Sequence, residues 1–216
     1  MNFQLLFAHF SALSVLIPLT LAFLQWRRLS RQLKVISLVL VFSAFTDAIS
    51  FIFINYSIST FILFNILCLI QLTLFLYAFS LSSSNKALFV VIYSIFVIVY
   101  VINFFRIDDP AVFDSASNAT SSIILIILSI QYLYRLLNEL REPHIYRLPM
   151  LWITFGIFAY NAGTLFLILA TNYLLASQKE SYGNLWILNS VMNITLNILF
   201  AIGLWQNYKT VHQSHG

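Results

Sequence analysis

Asp47 is the one carboxylate that lies inside an apolar stretch long enough to cross a membrane. No lysine or arginine is expected at its depth, and a charge near the bilayer centre costs about 2.5–3.5 kcal/mol on insertion scales. Ser43, Thr46 and Ser50 share its face at helical spacing. We therefore expect Asp47 to face the interior of a helix bundle. It is either a ligand contact, proton site or switch, or a neutral acid hydrogen-bonded to neighbouring helices.

Amide and tyrosine side chains recur in three further apolar stretches. Asn189, Asn193 and Asn197 form a stripe at i, i+4 and i+8, and such amides often join neighbouring helices. Counted from the predicted helix ends at about 1.5 Å per residue, several of these groups reach one layer about 10–12 Å below the outer surface. A polar ligand-binding pocket open to the outside is predicted there, lined by Asp47, Asn65, Tyr160, Asn161, Asn189 and Asn193.

Seven apolar stretches position these side chains. A helix of about 20 residues crosses the hydrocarbon core, and helices satisfy their own backbone groups in lipid. Runs such as IILIIL lack the alternation expected of barrel strands. We predict an all-α membrane protein, a seven-transmembrane helix bundle in one domain over residues 1–216. The predicted spans are 5–26, 35–54, 58–80, 87–105, 117–137, 148–173 and 185–206.

Glycine and proline positions predict local features of these spans. Gly156 and Gly163 are seven residues apart in the sixth span, a spacing typical of close helix packing. Pro18 lies inside the first span and predicts a kink there.

The loop charges predict the orientation. The first, third and fifth loops and the tail carry nine of the eleven lysines and arginines, and cytoplasmic loops carry such an excess. We therefore predict the N-terminus outside and the C-terminus in the cytoplasm. The nine basic residues are Arg27, Arg28, Arg31, Lys34, Lys86, Arg135, Arg141, Arg147 and Lys209.

The composition excludes several classes of protein. Charged residues make up 8% of the 216 and hydrophobic residues 61%, whereas soluble domains carry roughly 25% charged residues. A soluble monomer, a disordered chain and a nucleic-acid-binding domain are therefore excluded. Cys68 is the one cysteine, so no internal disulfide is possible.

Catalytic and metal-binding motifs are absent from the sequence. There is no GxSxG elbow, HExxH, P-loop or GxGxxG, and the loops are too short to house an active site. None of the four histidines has a partner at metal-ligand spacing. We expect a protein that is not an enzyme and that holds no metal or cofactor.

Four segments carry a family resemblance: RLPMLWITFGIFAYNAGTLFLILATNYLL, LWILNSVMNITLNILFAIGLW, YLYRLLNELREP and FTDAISFIF. With them the chain resembles small bacterial seven-helix integral membrane proteins, similar to the N-terminal membrane sensor region of some bacterial histidine kinases. The resemblance implies a multi-pass protein of a bacterial inner membrane. It transfers no ligand and no functional residue. Because the chain has no kinase core, we expect any signal to pass through a separate partner.

Four functions remain open, of which a membrane-embedded enzyme comes last, because only one carboxylate and no His/Cys cluster lie at depth. The favoured one is a sensor or receptor that binds a small ligand or lipid in the outer pocket. A protein partner then contacts Arg135, Arg141, Arg147 and the C-terminal tail at the cytoplasmic face. The second is an accessory subunit of a larger membrane complex, which the short loops favour. The third is a small proton-coupled transporter that uses Asp47.

Overall fold

The computed structural model describes residues 3–56, 60–106, 115–139, 145–176 and 182–213. Within these ranges the regular structure is helical and includes no strand. Two single 3-10 turns occur at Trp26–Arg28 and Ile145–Arg147. The α-helices are α1 (Phe3–Ser14), α2 (Leu16–Leu24), α3 (Arg31–Asn55), α4 (Phe61–Ser80), α5 (Lys86–Arg106), α6 (Ser115–Glu139), α7 (Pro149–Ala176) and α8 (Tyr182–Gln213).

Seven helical stretches in the described part of the chain are long and apolar enough to cross a membrane. Each overlaps one predicted span, so the prediction of seven apolar helices is confirmed. Large apolar side chains are widely exposed along them, as expected of surfaces that contact lipid; Phe23 is 81% exposed and Val90 64%. The stretches are Phe7–Leu24, Arg31–Phe53, Ile62–Ser80, Lys86–Phe105, Ala116–Asn138, Pro149–Ile168 and Ile187–Lys209.

The first span is interrupted, as Pro18 predicts. Helix α1 ends at Ser14, and α2 begins at Leu16. Proline has no N–H to donate to the carbonyl four residues earlier, and its ring crowds that carbonyl. For Pro18 that carbonyl belongs to Ser14, so the interruption falls where the helical hydrogen bond is missing.

The helices divide into two compact units. The terminal unit comprises residues 1–30 and 122–216, which include α1, α2, most of α6, α7 and α8. The central unit comprises residues 31–121, which include α3, α4, α5 and the start of α6.

Glycines bring α7 and α8 of the terminal unit close together. A Cβ atom on Gly163 would lie 2.6 Å from Cγ of Met192, and one on Gly203 would lie 2.7 Å from the backbone oxygen of Pro149. A Cβ atom on Gly156 would lie 3.2 Å from Cβ of Leu199. The predicted role of Gly156 and Gly163 in close packing is therefore confirmed, and Gly203 joins them.

Hydrogen bonds set the register of α3 against α4 in the central unit. At one end Gln32 Nε2 donates to the backbone oxygen of Ala78 at 3.0 Å. Further along, Gln71 Nε2 donates to Ser43 Oγ at 3.0 Å. Residue numbers rise along α3 as they fall along α4, so the two helices are antiparallel.

Candidate functional site

The six predicted pocket residues are distributed over both units. Asp47 and Asn65 belong to the central unit, and Tyr160, Asn161, Asn189 and Asn193 belong to the terminal unit. Each group is described within its own unit. The single pocket that would join all six stays a prediction.

The α3–α4 register places Ser50 level with Asn65. Ser50 lies seven residues beyond Ser43, and Phe64 lies seven residues before Gln71, which is the hydrogen-bond partner of Ser43. Ser50 therefore stands opposite Phe64 and its neighbour Asn65. Seven residues are close to two helical turns, so Ser50 also shares the face with which Ser43 contacts α4.

Polar atoms at this level are buried without a partner. Ser50 is 6% exposed, and its Oγ accepts and donates no hydrogen bond in the structure. Asn65 Oδ1 is likewise buried and unbonded. Such atoms are rare in proteins, because burial of each costs about 1–3 kcal/mol of desolvation free energy that no hydrogen bond offsets. Two of them at one level of the central unit indicate a place that a ligand or water would complete.

Asp47 precedes Ser50 on α3 by three residues, which is about 4.5 Å along the helix axis. It is half-buried, and the described residues include no hydrogen-bond or ion-pair partner for its carboxylate. Thr46 beside it is 8% exposed. The carboxylate therefore belongs to the same polar region of α3 as Ser50.

Helix α5 adds polar groups toward the end of the central unit that is predicted to be outside. The Tyr100 hydroxyl donates to the backbone oxygen of Asn65 at 3.3 Å. One turn further along α5, Asn103 Nδ2 donates to Ser117 Oγ at 3.2 Å. The tyrosine thus bonds the backbone of Asn65 and leaves the side-chain oxygen of that residue unbonded.

In the terminal unit, two asparagines of the α8 stripe are hydrogen-bonded to α1. Asn193 Nδ2 donates to Ser11 Oγ at 2.9 Å, and Asn197 Nδ2 donates to Ser14 Oγ at 2.8 Å. Asn197 is 3% exposed. These contacts are of the kind by which amides hold membrane helices together.

The other predicted residues of the terminal unit lie on α7 and α8. Asn161 is buried, and its Nδ2 donates to the backbone oxygen of Ile157 at 2.7 Å. Tyr160 and Asn189 are half-buried. One turn from Asn161, the buried Thr164 Oγ1 has no hydrogen-bond partner.

Sequence reasoning missed a second polar contact between the first span and α8. Gln25 Nε2 donates to the backbone oxygen of Leu204 at 2.9 Å, and its Oε1 accepts from Asn207 Nδ2 at 2.9 Å. Both side chains stand near predicted span ends, where polar residues are ordinary. The 4% exposure of Gln25 is what distinguishes it, and exposure is a tertiary property.

Cations lie over aromatic rings at the helix ends that are predicted to be cytoplasmic. The pairs are Arg31 over Tyr77 at 5.8 Å, Arg147 over Tyr146 at 6.0 Å and Lys209 over Trp205 at 5.8 Å. Aromatic and basic side chains of this kind are typical of the membrane–water interface. Within the predicted partner surface, Arg141 and residues 214–216 lie outside the described residues.

No protein-family profile, curated protein or solved structure matches the chain. The similarity to kinase sensor regions therefore stays a prediction carried by its four segments. The assignment of a site depends on the geometry alone. Of the polar clusters in the described residues, the one around Asp47, Ser50 and Asn65 combines a carboxylate with unbonded oxygens.

Proposed function

We propose that this multi-pass membrane protein is a bacterial inner-membrane sensor or receptor that binds a small polar ligand from outside. The ligand site is the cluster of Asp47, Ser50 and Asn65 between α3 and α4, called the α3–α4 site below. The observation that carries the proposal is the pair of buried oxygens, Ser50 Oγ and Asn65 Oδ1, that have no hydrogen-bond partner.

The energetic cost of those atoms supports a binding role. In a structural role, hydrogen bonds would offset the desolvation of the polar groups. Gln71 and Ser43 make such a hydrogen bond nearer the predicted cytoplasmic end of the α3–α4 interface. At the α3–α4 site no hydrogen bond offsets the desolvation free energy of these atoms in the unliganded protein, and a bound ligand would offset it. The register supports access from outside, because Ser50 lies near the end of α3 that the loop charges predict to be outside.

Signalling in this proposal is a population shift between two helix arrangements. The ligand favours the arrangement that closes the α3–α4 site. A protein partner binds the cytoplasmic face and responds to this change. It contacts Arg135, Arg141, Arg147 and the C-terminal tail. Charge reversal at Arg135 and Arg147 is expected to abolish chemical cross-linking of that partner, while wild-type-like melting would show that the chain still folds.

The outward opening is tested by cysteine accessibility. In a Cys68→Ala background, Ser50→Cys and Asn65→Cys should react in intact cells with a membrane-impermeant, charged methanethiosulfonate. A thiol reacts as its thiolate, which forms in a water-filled pocket and not in lipid. Rapid labelling of both positions from outside is the expected result.

The matched control is Ile52→Cys, on the same helix two residues away. Ile52 is 53% exposed on the surface of the central unit and is expected to face lipid. It should stay unlabelled. If Ser50→Cys and Asn65→Cys are as inert as Ile52→Cys, the outer pocket does not exist and the proposal is wrong.

A further inference from the structure

We infer that the ligand of the α3–α4 site carries a primary ammonium group, which Asp47, Ser50 and Asn65 hold together. This inference deepens the proposed function and rests on it. It names the chemical class of ligand from the kinds of atom that the site leaves unbonded.

The unbonded oxygens can all accept hydrogen bonds. Asn65 Oδ1 can only accept, and an ionised Asp47 carboxylate can only accept. Ser50 Oγ has two acceptor lone pairs and no partner. A primary ammonium presents three N–H donors from one atom, so one group of the ligand could satisfy all three side chains.

The charge of the site also favours a cation. The described side chains of the central unit place their basic groups at the opposite end: Arg31 and Lys34 precede Asp47 on α3 by about 24 Å and 20 Å. Lys86 is the first residue of α5 and lies at that same end, shortly after α4 ends at Ser80. A cationic ligand supplies a countercharge that none of the described side chains places beside Asp47, and a charged hydrogen bond is stronger than a neutral one.

Other ligand classes fit less well. An anion would be repelled by the Asp47 carboxylate, with no cationic side chain described beside it and only the neutral donors of Ser50 and Asn65 to bind it. A neutral alcohol could donate one hydrogen bond and would leave the other acceptors and the carboxylate without a partner. A quaternary ammonium would supply charge and no N–H donor.

The test is a series of probes with the same three-carbon chain: propylammonium, 1-propanol, propionate and trimethylpropylammonium. Each is added to the purified full-length protein, and the melting temperature is followed as a function of concentration. Propylammonium should raise the melting temperature in a saturable way. The alcohol, the acid and the quaternary amine should leave it at the value seen with matched salt.

Variants then assign the effect to the site. Asp47→Asn and Asn65→Leu should each weaken propylammonium binding by about tenfold or more, and Ser50→Ala by a smaller factor. The matched control is Ser37→Ala, because Ser37 is a buried α3 serine whose Oγ already donates to the backbone oxygen of Leu33. It should bind as the wild type does. Ser50→Ala keeps the test decisive should Asp47→Asn fail to fold.

The outcomes separate this inference from the proposed function. Labelling of Ser50→Cys from outside without any effect of propylammonium overturns the ammonium assignment and leaves the pocket standing. Equal stabilisation by 1-propanol overturns it as well, since the charge would then contribute nothing. An amine effect that persists unchanged in all three site variants places the amine elsewhere and overturns the assignment too.

Discussion

The contact between α8 and α1 in the terminal unit and the α3–α4 site in the central unit treat their polar side chains differently. In the terminal unit, Asn193 and Asn197 of α8 each bond a serine of α1. At the α3–α4 site, Ser50 Oγ and Asn65 Oδ1 are buried and unbonded. The residue types are the same, so the polarity of a residue does not by itself distinguish a helix contact from a binding site. The distinguishing property is whether a partner stands opposite.

In the proposed function, this contrast lets one chain hold together and still keep a site for a ligand. Amide–hydroxyl pairs between membrane helices contribute about 0.6–2 kcal/mol each. The terminal unit adds the close glycine packing of α7 on α8 to such pairs. At the α3–α4 site two buried oxygens lack such a gain, and we propose that a ligand supplies it.

The largest expected effect tests the packing of the terminal unit. Gly203→Ala should destabilise the protein by about 2–3 kcal/mol, because the new Cβ would meet the backbone oxygen of Pro149, which cannot move aside easily. Gly163→Ala is the matched comparison and should cost less, since the contacted Met192 side chain is flexible. Unfolding in mixed micelles measures both. Equal losses would mean that the two close contacts do not differ.

The next effect tests the paired asparagines. Asn197→Leu should cost about 1–2 kcal/mol, because it removes a buried hydrogen bond and leaves Ser14 Oγ without its donor. A double-mutant cycle with Ser14→Ala isolates the pair, and a coupling of about 0.6 kcal/mol or more is expected. A coupling of zero would show that the pair is not a stabilising contact, and the comparison of this contact with the α3–α4 site would lose its basis.

A gain of stability is expected where a hydroxyl has no partner. Thr154 is fully buried on α7 of the terminal unit, and its Oγ1 is unbonded. Thr154→Val keeps the shape and removes the unsatisfied atom, so we expect about 1 kcal/mol of stabilisation. The same unfolding assay measures it. Destabilisation would indicate that the hydroxyl has a partner such as water.

The smallest effect is expected at the α3–α4 site itself. Ser50→Ala in the unliganded protein should raise the free energy of unfolding by less than about 1 kcal/mol. As at Thr154, no hydrogen bond is lost and an unsatisfied oxygen is removed, but alanine leaves the space of that oxygen empty. Thr154→Val should leave propylammonium binding unchanged, whereas Ser50→Ala should weaken it. A loss of stability as large as that of Asn197→Leu would place Ser50 with the structural pairs.

Local properties of the chain sufficed for much of the architecture. The seven spans follow from run length and hydropathy, and the interruption after Ser14 follows from the missing N–H of Pro18. Gly156 and Gly163 were predictable from spacing. Gln25 and Gly203 were not recognised as packing residues, because a glutamine or a glycine near a span end has no distinct local pattern.

The candidate site could be predicted only in part. Its polar residues stand out against apolar surroundings, so Asp47 and Asn65 were identifiable as residues in need of a partner. Which amides find one was not identifiable, since Asn193 and Asn65 look alike in the sequence. The distinction depends on Ser11 standing opposite one and on an unbonded oxygen remaining at the other.

The sequence by itself determined that this is an all-helical chain with seven apolar helices, because helix formation in lipid depends on hydrogen bonds within each segment. It also determined which few side chains are costly to bury. Only the tertiary structure decided which of those side chains are paired, because a hydrogen bond between helices depends on register and on the residue across the interface. That register leaves Ser50 and Asn65 unbonded near Asp47, and there the proposed ligand binds.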